Sequence, residues 1–424
     1  MENTAYDAVI VGGGPGGSTC AAFLGKMGHK VLLLEKQKFP RDKTCGDAIS
    51  GKSRGVLRDL GIVDIVEAAP HSKVFGVAFS SPDGTYVDIP IPQDRGIDYG
   101  YCCRRNVYDD LLFQYAKKFA TVIEEFEVTD VIKEGEKVVG VKGIDKGNGG
   151  VEKTFNGKVI AGADGALSIV ARKLGVGEID PKHNCTGVRG YFKGVKNLTK
   201  SIELHFVDSI IPGYFWIFPM EEGIANVGAG VLTANVQSKK MNLKEETLKI
   251  INENPVFKER FADAKQMAYD ADGKLAEVAD GIRGWNLPLG SAHRKVHGEG
   301  YVLLGDAASL IDPFSGEGIG NAMTSGKIAA AIIHKALLAN DFSAKMLSEY
   351  EKNLYDLLWY ELNNSWKMQK RGNNKWLVNT VLKKARNNKQ LREFIGASLI
   401  DQHARQGFGS PLFYLKILLT PPLW

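Results

Sequence analysis

Long uncharged apolar runs are missing from this 424-residue chain, so no transmembrane helix is expected. Cysteine is scarce. Cys20, Cys45, Cys102, Cys103 and Cys185 are too few and too irregular for a disulfide framework, and the adjacent pair lacks zinc-site spacing. The chain opens Met-Glu-Asn-Thr and enters a strand-like segment at once, leaving no room for a signal peptide; a reducing cytoplasm is expected. Excess charge is also small, at +5, and it is local. Nine Lys/Arg and no Asp/Glu fall between Lys367 and Arg392, so the remainder is net acidic and a nucleic-acid partner is not expected. Glycine, by contrast, is abundant. Its 48 copies follow no period, which excludes collagen and implies many tight turns. With 44% hydrophobic residues the chain can bury a large core, and its length suits two or three domains.

Residues 5–35 read as strand, glycine turn, helix and strand. Tyr6–Val11 is β-branched, Gly12–Gly17 is the turn, Ser18–Met27 suits a packed helix, and Val31–Leu34 is a buried strand ending at Glu35. Antiparallel strands are expected over 74–100 around Pro82–Gly84, and a helix over Arg105–Phe119. Short strands at Val139–Val141 and Lys158–Ile160 lead to Asp164-Gly165-Ala166. From about 185 to 285 alternating segments such as Ser201–Val207 and Tyr214–Phe218 predict a large antiparallel sheet, with helix near Leu243–Ala264. Tyr301–Leu304 is again a buried strand, Ser325–Leu338 a helix, and mainly helices follow Phe342.

Gly12-x-Gly14-x-x-Gly17 sits between a strand and a helix, with an acid at the end of the next strand. Gly12 permits the turn, Gly14 lets backbone approach a pyrophosphate, and Gly17 lets helix and strand pack. Glu35 then accepts from ribose hydroxyls. A second glycine-rich loop follows a strand at Gly305-Asp306-Ala307-Ala308 and runs through Pro313, Gly316 and Gly318. Its Asp suits a polyol hydroxyl, and its glycines let N–H groups reach a ring carbonyl or phosphate. NAD needs no such second loop; the longer FAD does.

With Asp164-Gly165-Ala166, this spacing resembles the glutathione-reductase-like FAD fold of the para-hydroxybenzoate hydroxylase type. Four stretches then resemble the geranylgeranyl reductase family: Lys43-Thr44-Cys45-Gly46-Asp47-Ala48, Arg105–Asp109, Pro212–Pro219 and Gly305–Gly320. Ser309 stands where a glycine is common, and Asp47 where some members carry a second glycine. The resemblance covers about residues 5–340. It implies an α/β FAD-binding Rossmann domain from 1–70, 101–180 and 286–340. An antiparallel-sheet substrate domain would come from 71–100 and 181–285, and a helical region from 341–424. The cofactor-binding residues marked by motif and resemblance are Gly12, Gly14, Pro15, Gly16, Gly17, Glu35, Lys36, Cys45, Gly46, Arg105, Asp164, Gly165, Gly305, Asp306, Pro313, Gly316, Gly318 and Ile319.

On a strand, Tyr214, Trp216 and Phe218 share one face and form an aromatic wall suited to a long apolar substrate. Core filling is the alternative. His205 is read as structural, and Cys20, Cys102, Cys103 and Cys185 as packing residues. Cys45 is either a small buried hydrophobe or, by resemblance, a group near the flavin ring. Cys45, Tyr214 and Trp216 are the catalytic candidates, and no metal is expected. The reaction implied is saturation of isoprenoid C=C bonds in a prenyl diphosphate, prenylated lipid or polyprenyl quinone, by hydride from flavin N5. Proton-donor candidates are ordered water, Cys45 and Tyr214. NAD(P)H or reduced ferredoxin is the expected electron donor, since no second Gly-x-Gly-x-x-Gly follows a strand. Two other readings stand beside this one. The first is a monooxygenase or halogenase using a flavin hydroperoxide; the second is a non-catalytic lipid- or membrane-binding flavin module. The basic stretch 367–392, with Trp376 and the apolar Pro411–Trp424, suits an anionic membrane surface.

Overall fold

The computed structural model describes residues 5–91, 99–270 and 272–400. The apolar tail Pro411–Trp424 lies outside them. Among the described residues, the first sheet is built on four parallel neighbours. Tyr6–Val11 lies between Val31–Leu34 and Val151–Gly162, and Thr121–Ile123 extends one edge beside Val31–Leu34. Tyr301–Leu303 comes in from far along the chain to pair, also in parallel, with Val151–Gly162. Strands covered on both faces need unbroken apolar sequence, and all four residues of Val31–Leu34 are buried. The outer part of Val151–Gly162 turns antiparallel, pairing with Lys137–Asp145, which in turn pairs with Phe126–Glu134.

Two helices lie together over this sheet. Pro15–Lys26 starts with proline at its first turn, where no N–H is needed. It meets Ile319–Ala339, where a Cβ on Gly326 would stand 2.3 Å from the Gly16 carbonyl oxygen; only glycine permits that approach. The second helix starts earlier than Ser325, at Ile319, and Arg105–Ala116 ends earlier than Phe119. Helix Ala344–Arg371 shares the core of the parallel sheet, and Tyr350 donates its hydroxyl to the Leu303 carbonyl at 2.7 Å.

A second sheet of nine strands is mainly antiparallel. Its central run is Asn184–Lys193, Ile224–Leu232, Tyr214–Pro219, Ser201–His205, Gly76–Ser80 and Tyr86–Pro90. The helical stretch expected near Leu243–Ala264 is shorter. Leu243–Glu253 stops at Asn254, whose side chain caps the one-turn helix Pro255–Lys258, and Lys265–Tyr269 returns to the sheet. Ala48–Ile49, Gly100–Cys102 and Ser72–Val74 form a separate three-stranded sheet, with Gly100–Cys102 in the middle. Helix Lys375–Asn387 buries Leu382 and Ala385 in the cluster that holds Val87 and Ile89. No described helix is long and apolar enough to cross a membrane.

Candidate active site

One cavity of about 810 Å³ runs between the two large sheets. Every residue marked from the sequence lies in its wall except Gly17 and Pro313. Those two act behind it. A Cβ on Gly17 would stand 1.9 Å from the Gly12 carbonyl oxygen, so Gly17 lets the helix start against the turn. Pro313 accepts from Gln369 Nε2 at 2.7 Å and ties the second glycine loop to helix Ala344–Arg371.

At one end the wall is mostly backbone. Gly12 has φ +105°, and a Cβ there would meet the Ala163 carbonyl oxygen at 2.4 Å. Gly14 is different, because its Cβ would find nothing nearer than Arg41 Nη2 at 3.9 Å. Space is therefore left open at the position that the motif assigns to a phosphate. Glu35 is held at the end of its strand by N–H donors from Gly13 at 2.8 Å and Gln37 at 2.9 Å. Across the cavity, Gly305 and Gly316 have φ of +57° and +73°, and Asp306 presents its carboxylate 3.5 Å from Lys43 Nζ. Ser309 adopts φ +55°, the left-handed conformation for which glycine is the easier residue. Asp312 Oδ1 accepts from the backbone N–H groups of Phe314 and Ser315 and shapes the loop. An open cradle between two glycine loops, with an acid on each side, fits an extended dinucleotide.

Two marked side chains are committed within the protein. Arg105 donates Nε and Nη2 to the two oxygens of Asp109 at 2.6 and 2.7 Å, and Arg41 donates to the same carboxylate at 2.7 Å. Burial alone would raise that carboxyl, but Arg105 and Arg41 hold it below its usual range. Asp164 accepts from Ser168 Oγ and from the N–H groups of Ile169 and Val170, and so caps helix Ile169–Lys173. Lys36 and Gly165 lie in the wall beside them.

At the other end the wall is made of side chains. Tyr214, Trp216 and Phe218 face the cavity, with ring centroids 6.2 and 6.1 Å apart. The alternate residues Phe215 and Ile217 are fully buried in a separate core behind the sheet. Tyr214 donates its hydroxyl to the Ser315 carbonyl at 2.7 Å, so its proton is already committed. Val74, Val77, Ile202 and Leu204 continue the apolar surface. Gly46 sits against Phe218, whose Cε2 would be 2.9 Å from a Cβ there. His205 is indeed internal, bonded to Ser80 Oγ and Glu203 and packed on Phe257. Cys20, Cys102 and Cys103 are buried, and burial pushes their thiols up. None of these three, nor Cys185, lines the cavity.

Between the two ends lies a polar knot that sequence reasoning missed. Asn226 accepts from Trp216 Nε1 at 2.9 Å and donates to the Cys45 carbonyl and to Asp47 Oδ2, both at 2.8 Å. Tyr191 donates to the same Asp47 oxygen at 2.6 Å. Arg189 bonds Asp42 and the carbonyls of Lys43 and Cys45. Cys45 Sγ accepts from the Asp47 N–H at 3.4 Å and lies beside the Arg105 guanidinium. These partners come from strands more than 140 residues beyond the Cys-Gly-Asp loop, so no local pattern announces them.

The FAD binding domain family model matches residues 5–353. The digeranylgeranylglycerophospholipid reductase of Methanocella arvoryzae is 31% identical, over 86% of each chain. This chain belongs to the geranylgeranyl reductase family of FAD-binding flavoproteins. As a member it is an FAD-dependent oxidoreductase. The family neighbourhood also holds halogenases. A 1H-pyrrole-2-carbonyl-[peptidyl-carrier protein] chlorinase of Pseudomonas fluorescens is 28% identical over 86% of this chain and 85% of its own. In fold, a geranylgeranyl bacteriochlorophyll reductase-like protein from Thermoplasma acidophilum superposes with TM-score 0.77 at 24% identity, covering 95% of this chain and 98% of its own.

Proposed function

We propose that this flavoprotein saturates isoprenoid C=C bonds of a prenyl diphosphate, a prenylated lipid or a polyprenyl quinone. The observation that carries the reading is the shared cavity. Its glycine-loop end fits FAD, and its other end is an apolar wall of Tyr214, Trp216 and Phe218. When bound and reduced, FAD supplies a hydride. The chain's own part is to hold the alkene, exclude water and deliver a proton. An isolated alkene is a poor hydride acceptor, so a dry, fixed geometry must carry much of the barrier reduction.

In this reading Glu35 and Asp306 take hydroxyl groups of the cofactor, the turn at Gly14 takes its phosphates, and the N-terminus of helix Ile319–Ala339 faces its ring end. The segments 1–70, 101–180 and 286–340 then serve the cofactor, and 71–100 with 181–285 serve the substrate. NAD(P)H or a reduced ferredoxin binds transiently as electron donor. The basic stretch 367–392 rests on an anionic membrane surface, where such substrates reside; Trp376, 62% exposed on helix Lys375–Asn387, supports that placement.

The test is anaerobic. The purified holoprotein is reduced with dithionite and mixed with geranylgeranyl diphosphate or an unsaturated isoprenoid lipid. Flavin reoxidation with a gain of two hydrogens per bond in the lipid mass is expected. Reoxidation only after oxygen is admitted overturns the reading in favour of the oxygen-using chemistry to which the chlorinase relative points.

A further inference from the structure

The apolar face of the second sheet does not stop where the cavity stops. Strand pairing sets residues of one face side by side, so the face can be followed row by row toward Tyr86–Pro90. In one row Trp216 stands opposite Leu204, Leu204 opposite Phe79, and Phe79 opposite Val87. In the next, Ile202 stands opposite Val77, and Val77 opposite Ile89. Trp216, Leu204, Ile202 and Val77 line the cavity. Phe79, Val87 and Ile89 continue the same face outside it, buried under another cover.

That cover is the helix pair Lys375–Asn387 and Lys389–Ile400. Leu382, Ala385 and Ile395 share one apolar core with Phe79, Val87 and Ile89. The seat is slight. Of the thirteen residues of Lys375–Asn387, only Leu382 and Ala385 are buried. Lys375 and Lys383, both exposed, pair with Asp208 at 2.5 Å and Asp83 at 2.7 Å. The Asn374 side chain accepts from the Leu377 N–H, so the helix carries its own cap. An element with so few buried apolar side chains separates from the body at lower cost than a core element does.

The cavity is also small for its contents. Its volume of about 810 Å³ lies within the range of roughly 300–1,000 Å³ that a single ligand fills. The reductase reading asks it to take FAD at the glycine loops and an isoprenoid chain at the aromatic wall together. The rest of a long chain needs further apolar surface, and the strip at Phe79, Val87 and Ile89 is continuous with the wall.

Resting on the reductase reading above, we propose that this strip is the distal part of the isoprenoid site. The end of a long chain enters it by sliding between the sheet and helix Lys375–Asn387. Both apolar faces then stay covered, by hydrocarbon instead of by each other, so little hydrophobic burial is given up. A short chain stays within the cavity and leaves the helix seated. Chain length is thereby sensed at the helix rather than at the aromatic wall.

The experiment fixes the helix to the sheet. Asp83→Cys/Lys383→Cys holoprotein is joined by a short bismaleimide and reduced with dithionite. It is then mixed with geranylgeranyl diphosphate or with geranyl diphosphate, whose chain is half as long. Against the unlinked variant, linking should slow flavin reoxidation at least about tenfold with the longer substrate and less than about twofold with the shorter, because only the longer one displaces the helix. Wild type treated alike shows what modification of Cys45, which lines the cavity, contributes. Lys375→Cys/Asp208→Cys, joined at the other ion pair, should repeat the result with different substitutions.

Nitroxides on the two unlinked cysteines of oxidised holoprotein give a readout apart from turnover. Geranylgeranyl diphosphate should lengthen their separation by about 4 Å, the thickness of one hydrocarbon layer, and geranyl diphosphate should not. Links that affect both substrates equally, or a separation that chain length does not change, overturn this assignment alone. A wild-type flavin that neither diphosphate reoxidises overturns the reductase reading, and this assignment with it.

Discussion

The two ends of the cavity are built by different means. The cofactor end is backbone: Gly12, Gly14, Gly16, Gly305, Gly316 and Gly318 contribute room rather than side chains. The substrate end is side chain, an aromatic face on one strand and a polar knot drawn from four separate segments. Room for a shared cofactor is a local property of a turn, whereas shape for a particular substrate is assembled from distant parts. That contrast fits a chain whose sequence relatives include both reductases and a chlorinase.

The sharpest way to break the contrast is within the first turn. Gly17→Ala drives a Cβ to 1.9 Å from a carbonyl oxygen that packing fixes, and should cost upwards of about 3 kcal/mol of stability. Gly14→Ala meets nothing within 3.9 Å, so the apoprotein should unfold within about 0.5 kcal/mol of wild type. Its methyl group instead occupies the space proposed for a phosphate, and FAD affinity should fall at least tenfold. Denaturant unfolding of the apoproteins and FAD titration read both effects. Equal FAD affinity in Gly14→Ala would remove the phosphate from this turn.

A second comparison lies within one strand. Phe215 is fully buried behind the sheet, and Phe215→Ala should cost about 3–5 kcal/mol with little effect on the alkene-driven rate of the folded fraction. Phe218→Ala, on the cavity face, should cost no more than about 3–5 kcal/mol and lower that rate more strongly. Rates that fall equally in both variants would show that the aromatic face is merely core.

The same division explains what the sequence made legible. Strand, glycine turn, helix and strand at 6–35 follow from apolar runs and glycine spacing, because each signal lies within a few residues of what it shapes. The alternation at Tyr214–Pro219 likewise separates a cavity face from a core face. Arg105 and Asp164 were legible as cavity positions but not in their local tasks: one is tied to Asp109, the other caps a short helix. Asp47 was visible only as a departure from a glycine pattern, and its partners Tyr191 and Asn226 stand 144 and 179 residues away. Helix Ala344–Arg371 read simply as one of several helices, although it completes the core of the first sheet.

Asp47 also ties the polar knot to stability. Its carboxyl is raised from 3.8 to about 6 in the fold, so the native state holds the proton more tightly than the unfolded chain. The stabilisation is complete below about pH 4 and is lost as pH rises through about 6, a difference of about 3 kcal/mol. Asp47→Asn has no such dependence. Its apoprotein stability relative to wild type should therefore improve by about that amount between pH 4 and pH 7, measured by urea unfolding at each pH. A constant difference would mean that Asp47 ionises as freely in the fold as in water.

The smallest effect on the fold is expected at the exposed charges of helix Lys375–Asn387. Lys383 pairs with Asp83 at 2.7 Å, but its side chain is 60% exposed, so the pair contributes under about 1 kcal/mol. Reversing Lys383, Lys384 and Arg386 to Glu should leave unfolding nearly unchanged, because Leu382 and Ala385, not the charges, seat the helix on the second sheet. If the basic stretch rests on a membrane, the same variant should no longer sediment with phosphatidylglycerol vesicles, and wild-type sedimentation should weaken with salt. Turnover of a water-dispersed short isoprenoid should survive, since the cavity is untouched. Unchanged vesicle binding in the variant would leave the basic stretch as a solvated face, and substrate entry would then need no membrane contact through this helix.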